Sequence, residues 1–97
     1  MTKYAEFLRQ DQRLVLLRIL AEMPAYRSNS SVLAGALHGY GHSASRDQIK
    51  TELHWLGEQG LVQVEDLESI LIVTLTERGA DVAAGCARVP GVKLPGA

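Results

Sequence analysis

The segment "SRDQIKTELHWLGEQGLV", Ser45 to Val62, constrains the fold more than any other stretch of the chain. Ser45 is followed three residues later by Gln48, the spacing of a capping box. The serine oxygen accepts from the Gln48 amide while the Gln48 side chain reaches back to the cap. Ala44 and Ile49 stand at the positions of a weak hydrophobic staple. Ile49, Leu53 and Leu56 recur at helical spacing, so one stripe of this helix faces a core. Gly60 is placed for a left-handed cap at the helix end. The segment therefore specifies a helix with a set start and stop that runs directly into a strand.

The period changes after Gly60. Leu61 to Val64 and Ile70 to Leu75 are rich in β-branched and apolar residues, with the charged "EDLES" between them. That pattern predicts an antiparallel hairpin closed by a loop of a few residues. Thr76 then caps a last helix over about Glu77 to Ala87. Upstream, "DQRLVLLRILAEMP" carries two adjacent apolar stripes, which implies burial on more than one side. Pro24 ends that helix, whose start is expected near Lys3. "AYRSNSS" reads as a break with Asn29 or Ser28 as the next N-cap. A short helix follows, with Val32, Leu33 and Leu37 at helical spacing, and the glycines of "HGYGHSAS" stop it.

The expected order is helix, helix, helix, strand, strand, helix. This is a mainly α fold with a β-hairpin, the winged helix-turn-helix plan. Ninety-seven residues fit one such domain, assigned to residues 1–87, with 88–97 as an extended, unpacked tail rich in proline and glycine. A chain of this size has little stability to spare and often dimerises. The expected seam joins Leu16, Ile19 and Leu20 of the first helix to Ala80, Ala83 and Ala84 of the last, whose small residues allow close approach.

Several stretches resemble known families. "SRDQIKTELHWLGEQGLVQVE" and "VTLTERGADVA" are similar to the third helix, wing and following helix of winged-helix regulators of the multiple-antibiotic-resistance and arsenical-repressor types. "LTERGADVAAG" and "ARVPGVKLP", with the short length, look like a family of small winged-helix, regulator-like proteins of Mu-like phages and prophages. The closer resemblance implies a phage gene and the winged-helix fold. In winged-helix regulators the third helix enters the major groove, so the expected function is a phage or prophage transcriptional regulator that binds double-stranded DNA.

On the predicted third helix, the face opposite the core stripe centres on Thr51 and includes Asp47, Gln48, His54, Trp55 and Glu58. Arg46 and Lys50 lie on one flank and Glu52 on the other. The expected DNA contacts are Ser45, Arg46, Gln48, Lys50, Thr51 and His54. Gln48 can pair with adenine, and Thr51 can touch a thymine methyl or a phosphate.

Charge argues the other way. Residues 43–81 carry three basic and eight acidic side chains, and the predicted wing tip bears Glu65, Asp66 and Glu68. Such a wing contributes nothing to counterion release. DNA binding would then lean on Lys3, Arg9, Arg13, Arg27, Arg88 and Lys93. The alternative is a protein-interaction or assembly module that docks through the acidic wing or through Trp55. Trp55, the only tryptophan, either packs against the wing or a neighbouring helix or anchors a partner.

Other chemistry finds little purchase. His38 and His42 are separated by glycines and read as loop residues, and Cys86 reads as a small buried residue beside the last helix, so no metal or other cofactor is expected. No nucleophile stands in a recognised setting and no phosphate-binding glycine loop follows a strand, so an enzyme is not expected. The lone cysteine, the absence of a signal-like apolar stretch near the N-terminus and the short longest apolar run (Ile70 to Val73) point to the cytoplasm and away from the membrane.

Overall fold

The fold is described from a computed structural model over residues 3–96. Helix α1 (Lys3–Glu22) leads through a single 3-10 turn at Pro24–Tyr26 into a short strand, β1 (Arg27–Asn29). Helices α2 (Ser30–Gly39) and α3 (Arg46–Glu58) follow, then strands β2 (Val62–Asp66) and β3 (Leu71–Leu75), and helix α4 (Glu77–Ala84). The three strands form an antiparallel sheet in the order β1-β3-β2. This is the expected winged helix-turn-helix.

The helix boundaries follow local chemistry. Asn29 Oδ1 accepts from Val32 N at 2.8 Å and starts α2. The Ser45–Gln48 box starts α3. Thr76 Oγ1 accepts from Gly79 N at 3.0 Å and starts α4. In β3, Leu71, Val73 and Leu75 are buried and alternate with half-buried Ile72 and Thr74, as a strand with one core face should. The core is one cluster that joins leucines of α1, α2 and α3 to β2, β3 and α4.

Four expectations require correction. "AYRSNSS" is not merely a break. Its centre is β1, whose Ser28 lies opposite Val73 and so makes β3 the middle strand. Three polar residues carry no β pattern, so the strand exists only because β3 offers it an edge. Ala25 and Tyr26 both take left-handed φ values, 57° and 56°, to turn the chain into it. The last helix also ends at Ala84, three residues short of the expected boundary, because Gly85 caps it in the left-handed region.

The tail is not unpacked. It has no regular secondary structure, but Val89 and Val92 are buried with the core and Lys93 N donates to Gln10 O at 3.2 Å. Finally, the expected dimer seam is consumed within one chain. Leu16, Ile19 and Leu20 are buried among the core residues, and α1 packs on α4 of its own chain. Ala83 is buried there, Ala80 is half-buried against the core, and Ala84 is exposed. The close helix pairing inferred from the alanines is present, but the partner of α4 is intramolecular.

Candidate nucleic-acid interface

Helix α3 is held from both sides of its capping box. Gln48 N donates to Ser45 Oγ at 3.1 Å, and Ser45 N donates to Gln48 Oε1 at 3.0 Å. Ile49, Leu53 and Leu56 drive one face into the core. The opposite face is thereby turned outward, and Asp47, Gln48, Thr51, His54 and Glu58 are all exposed. The face expected from helical periodicity is therefore open to solvent.

The side chains on it are less free than the sequence implies. Gln48 uses its carbonyl oxygen in the cap, so only its amide hydrogens remain available. The bidentate pairing with adenine needs both groups. Ser45 Oγ accepts in the cap, which leaves its hydroxyl proton to donate. Thr51 is exposed, but its Oγ1 donates to the Asp47 carbonyl at 2.9 Å, which commits the hydroxyl proton and leaves the methyl as its apolar group. Lys50 Nζ donates to Ser69 O at 3.2 Å and ties α3 to the loop between β2 and β3. Arg46 is exposed at the first helical position, and His54 is exposed one turn beyond Lys50.

Glu52 does not sit on the flank as a repulsive charge. It is 4% exposed, and Arg13 Nε of α1 donates to its Oε1 at 2.6 Å. Arg13 Nη1 also donates to Gly91 O at 3.0 Å, and its guanidinium carbon lies 3.9 Å from the Trp55 ring centroid. Arg13 is thus spent inside the molecule and is not a candidate phosphate ligand. Lys93 is similarly engaged, 3.4 Å from Asp11 Oδ1 and 5.2 Å from the Phe7 ring centroid. Trp55 is half-buried under Arg13 and the tail, which is the packed outcome and not an exposed anchor. Helical spacing contains the clue to Glu52: it is three residues from Ile49 and four from Leu56, on the border of the buried stripe.

Asp47 keeps its place on the open face, beside a groove of about 270 Å³ whose other wall includes Arg9 and Gln12 of α1. At the wing, Glu65, Asp66, Leu67 and Glu68 are exposed. Asp66 Oδ1 accepts from Glu68 N at 2.9 Å, an Asx turn that shapes the tip. Arg27 and Arg88 are exposed.

The remaining candidates are dispersed. His38 lies in the last turn of α2, not in a loop, and is exposed. His42 is buried and its Nε2 lies 2.7 Å from Asp11 Oδ2, a contact between the α2–α3 turn and α1. Cys86 is exposed, contrary to its expected burial, because α4 has already ended and the chain has turned outward. Among the described residues no three His, Cys, Asp or Glu side chains converge as a metal site, and no helix is long and apolar enough to cross a membrane.

No family model matches the chain. It is 49% identical over 90 residues to the uncharacterized protein gp26 of Escherichia phage Mu, which covers 93% of each chain. It is 43% identical over 76 residues to an uncharacterized protein of Haemophilus influenzae, covering 77% of this chain and 74% of that one. Among solved structures it is similar to AbsC, a MarR family transcriptional regulator from Streptomyces coelicolor, with a TM-score of 0.61 and 25% identity over 74% of this chain and 47% of AbsC. It is also similar to Sco3205, a MarR family transcriptional regulator from the same organism in complex with DNA, with a TM-score of 0.60 and 24% identity. That match covers 79% of this chain and 50% of Sco3205. The chain therefore spans about half the length of either regulator, and the likeness to Sco3205 is one of fold.

Proposed function

The chain belongs to the family of gp26 of Escherichia phage Mu, and from that premise we propose that it binds double-stranded DNA through α3 and regulates phage or prophage transcription. One observation carries this reading: α3 has one face locked in the core and the other open to solvent over Asp47, Gln48, Thr51 and His54. A helix so exposed beside a hairpin is the element that winged-helix proteins insert in the major groove. The description of Sco3205 as a regulator in complex with DNA supports the same use of the fold.

The affinity is modest in this reading. Each neutralised phosphate adds to binding by counterion release. Here the wing tip is acidic, and Arg13 and Lys93 are bonded within the molecule. Filter binding to random duplexes through a salt series tests the proposal. The expected result is binding at low salt, a shallow slope of log affinity against log salt, and preference for some sequences. No retention of any duplex at low salt would sink it.

Association of two copies, where it occurs, uses another surface than the expected seam. Tyr4 and Phe7 are 70% and 53% exposed on the first turns of α1 and replace Leu16, Ile19 and Leu20 as the surface to test. Sedimentation of the wild type beside Tyr4→Lys/Phe7→Lys reads this directly. A dimer that the double variant leaves intact would exclude that surface.

A second reading rests on the wing. Its acidic tip also exposes Leu67, a composition suited to a basic protein partner. On that reading the wild type binds no duplex and the wing, not α3, carries the function.

A further inference from the structure

Between α2, the first two turns of α3 and the loop before β3 lies a cleft of about 240 Å³, lined by Ser30, Ser31, Arg46, Lys50, Ser69 and Ile70. None of the lining residues is acidic, although residues 43–81, which supply four of the six, carry eight acidic against three basic side chains. Two cations one helical turn apart face it, with hydroxyls on the other wall. Arg46 makes no hydrogen bond or ion pair among the described residues, so its five guanidinium donors are available. Lys50 gives one proton to Ser69 O and keeps two. Ser31 is exposed. Ser30 is held in place because its Oγ accepts from Leu71 N at 3.0 Å, and its own hydroxyl proton remains to be donated. The charged groups lining the cleft are both cations, and the serine hydroxyls beside them can donate to an anion.

We propose that this cleft is an oxyanion seat that holds one phosphate of the DNA backbone. The assignment rests on the DNA-binding reading above and deepens it. Arg46 and Lys50 lie on the flank of α3, beside the wing loop, and not at the centre of the outward face around Thr51. They therefore set the position of the helix on the duplex, while the amide of Gln48, the Thr51 methyl and His54 are left towards the base edges. Position and readout are separate tasks in protein–DNA contacts.

Two measurements on the full chain test it. In the first, inorganic phosphate is titrated into the protein and amide and side-chain NMR shifts are followed. Saturable shifts confined to Ser31, Arg46, Lys50 and Ser69, and lost in Arg46→Gln/Lys50→Gln, are expected. Shifts that never saturate, or spread evenly over the surface, overturn the seat whether or not DNA binds. In the second, duplexes with single phosphates replaced by neutral methylphosphonates are bound to wild type and to Lys50→Gln. The wild type is expected to lose affinity several-fold at one phosphate, and the variant to lose no more there. The variant should weaken all sequences equally and lower the salt slope by about 1. A loss that varies with base sequence overturns the assignment, because the cleft would then be reading bases. Saturable phosphate binding without any duplex binding overturns the backbone assignment together with the functional reading, and leaves a seat for a free oxyanion.

Discussion

Arg13 of α1 and Glu52 of α3 form a buried ion pair, 2.6 Å from Nε to Oε1, with side chains 13% and 6% exposed. The pair is closed on its remaining sides by the Trp55 ring and the Gly91 carbonyl. It removes one carboxylate from the outward face of α3 and one arginine from the exposed cations. It also ties α1 to α3 across 39 residues of sequence.

Removing Arg13 strands the buried Glu52 carboxylate, and removing Glu52 leaves the largely buried Arg13 with the Gly91 carbonyl and the Trp55 ring but no counter-charge. Arg13→Ala is expected to cost about 3–5 kcal/mol of stability, and Glu52→Ala less, because Arg13 keeps its other two contacts. The double variant should cost clearly less than the two together, because neither charge is then left alone. Urea unfolding followed by Trp55 fluorescence measures all three. Additive losses would show that the two charges do not depend on each other.

Gly91 adopts a φ of +100°, and a β-carbon there would lie 2.7 Å and 2.8 Å from two Trp55 ring atoms. Gly91→Ala is expected to destabilise by about 2 kcal/mol through backbone strain and overpacking together. The Trp55 emission should shift to the red in the native state as the tail lifts. An unchanged emission maximum with unchanged unfolding midpoint would mean that the tail does not cover the ring.

Gly79 faces a harder wall. A β-carbon there would collide with the Leu61 carbonyl and approach Leu75 Cδ1 to 2.7 Å. The Leu61 oxygen is also the acceptor for Thr76 N at 3.1 Å, so it cannot move without loosening the start of α4. Gly79→Ala is expected to cost about 3 kcal/mol or more, even though alanine is the better helix former. Circular dichroism melting checks this, and a stabilised variant would contradict the close approach of α4 to the strand start.

Neutralising the wing should raise non-specific DNA binding. Glu65→Gln, Asp66→Asn and Glu68→Gln together remove three exposed negative charges, and the Asp66→Asn change keeps an oxygen that can accept from Glu68 N. The expected outcome is tighter low-salt binding to all duplexes, a steeper salt slope, and stability unchanged within about 0.5 kcal/mol. Asp47→Asn on α3 should act in the same direction. Unaltered affinity in both variants would place the bound DNA away from wing and helix alike.

Local sequence was enough for the elements whose causes lie within a few residues. The Ser45–Gln48 box and the Thr76 cap are present as read, Asn29 is the one of the two candidates that caps α2, and the β-branched, apolar run Ile70–Leu75 contains a strand, because each depends on contacts one turn away or on the residues of a single strand. The open face of α3 followed from the same periodicity. Which surfaces meet was settled by packing across the molecule. Arg13 and Glu52 are 39 residues apart, and Arg13 and Gly91 are 78 apart, so no local pattern couples them. The strand at Arg27–Asn29 has no β-forming side chains and exists through the edge that β3 presents to it. Leu16, Ile19 and Leu20 read equally well as core or as dimer seam. Hydrophobic burial is non-directional, and an apolar stripe records that it must be covered without recording by what. Here β3, α4 and the other helices of the same chain close around α1, so the cover comes from within the chain.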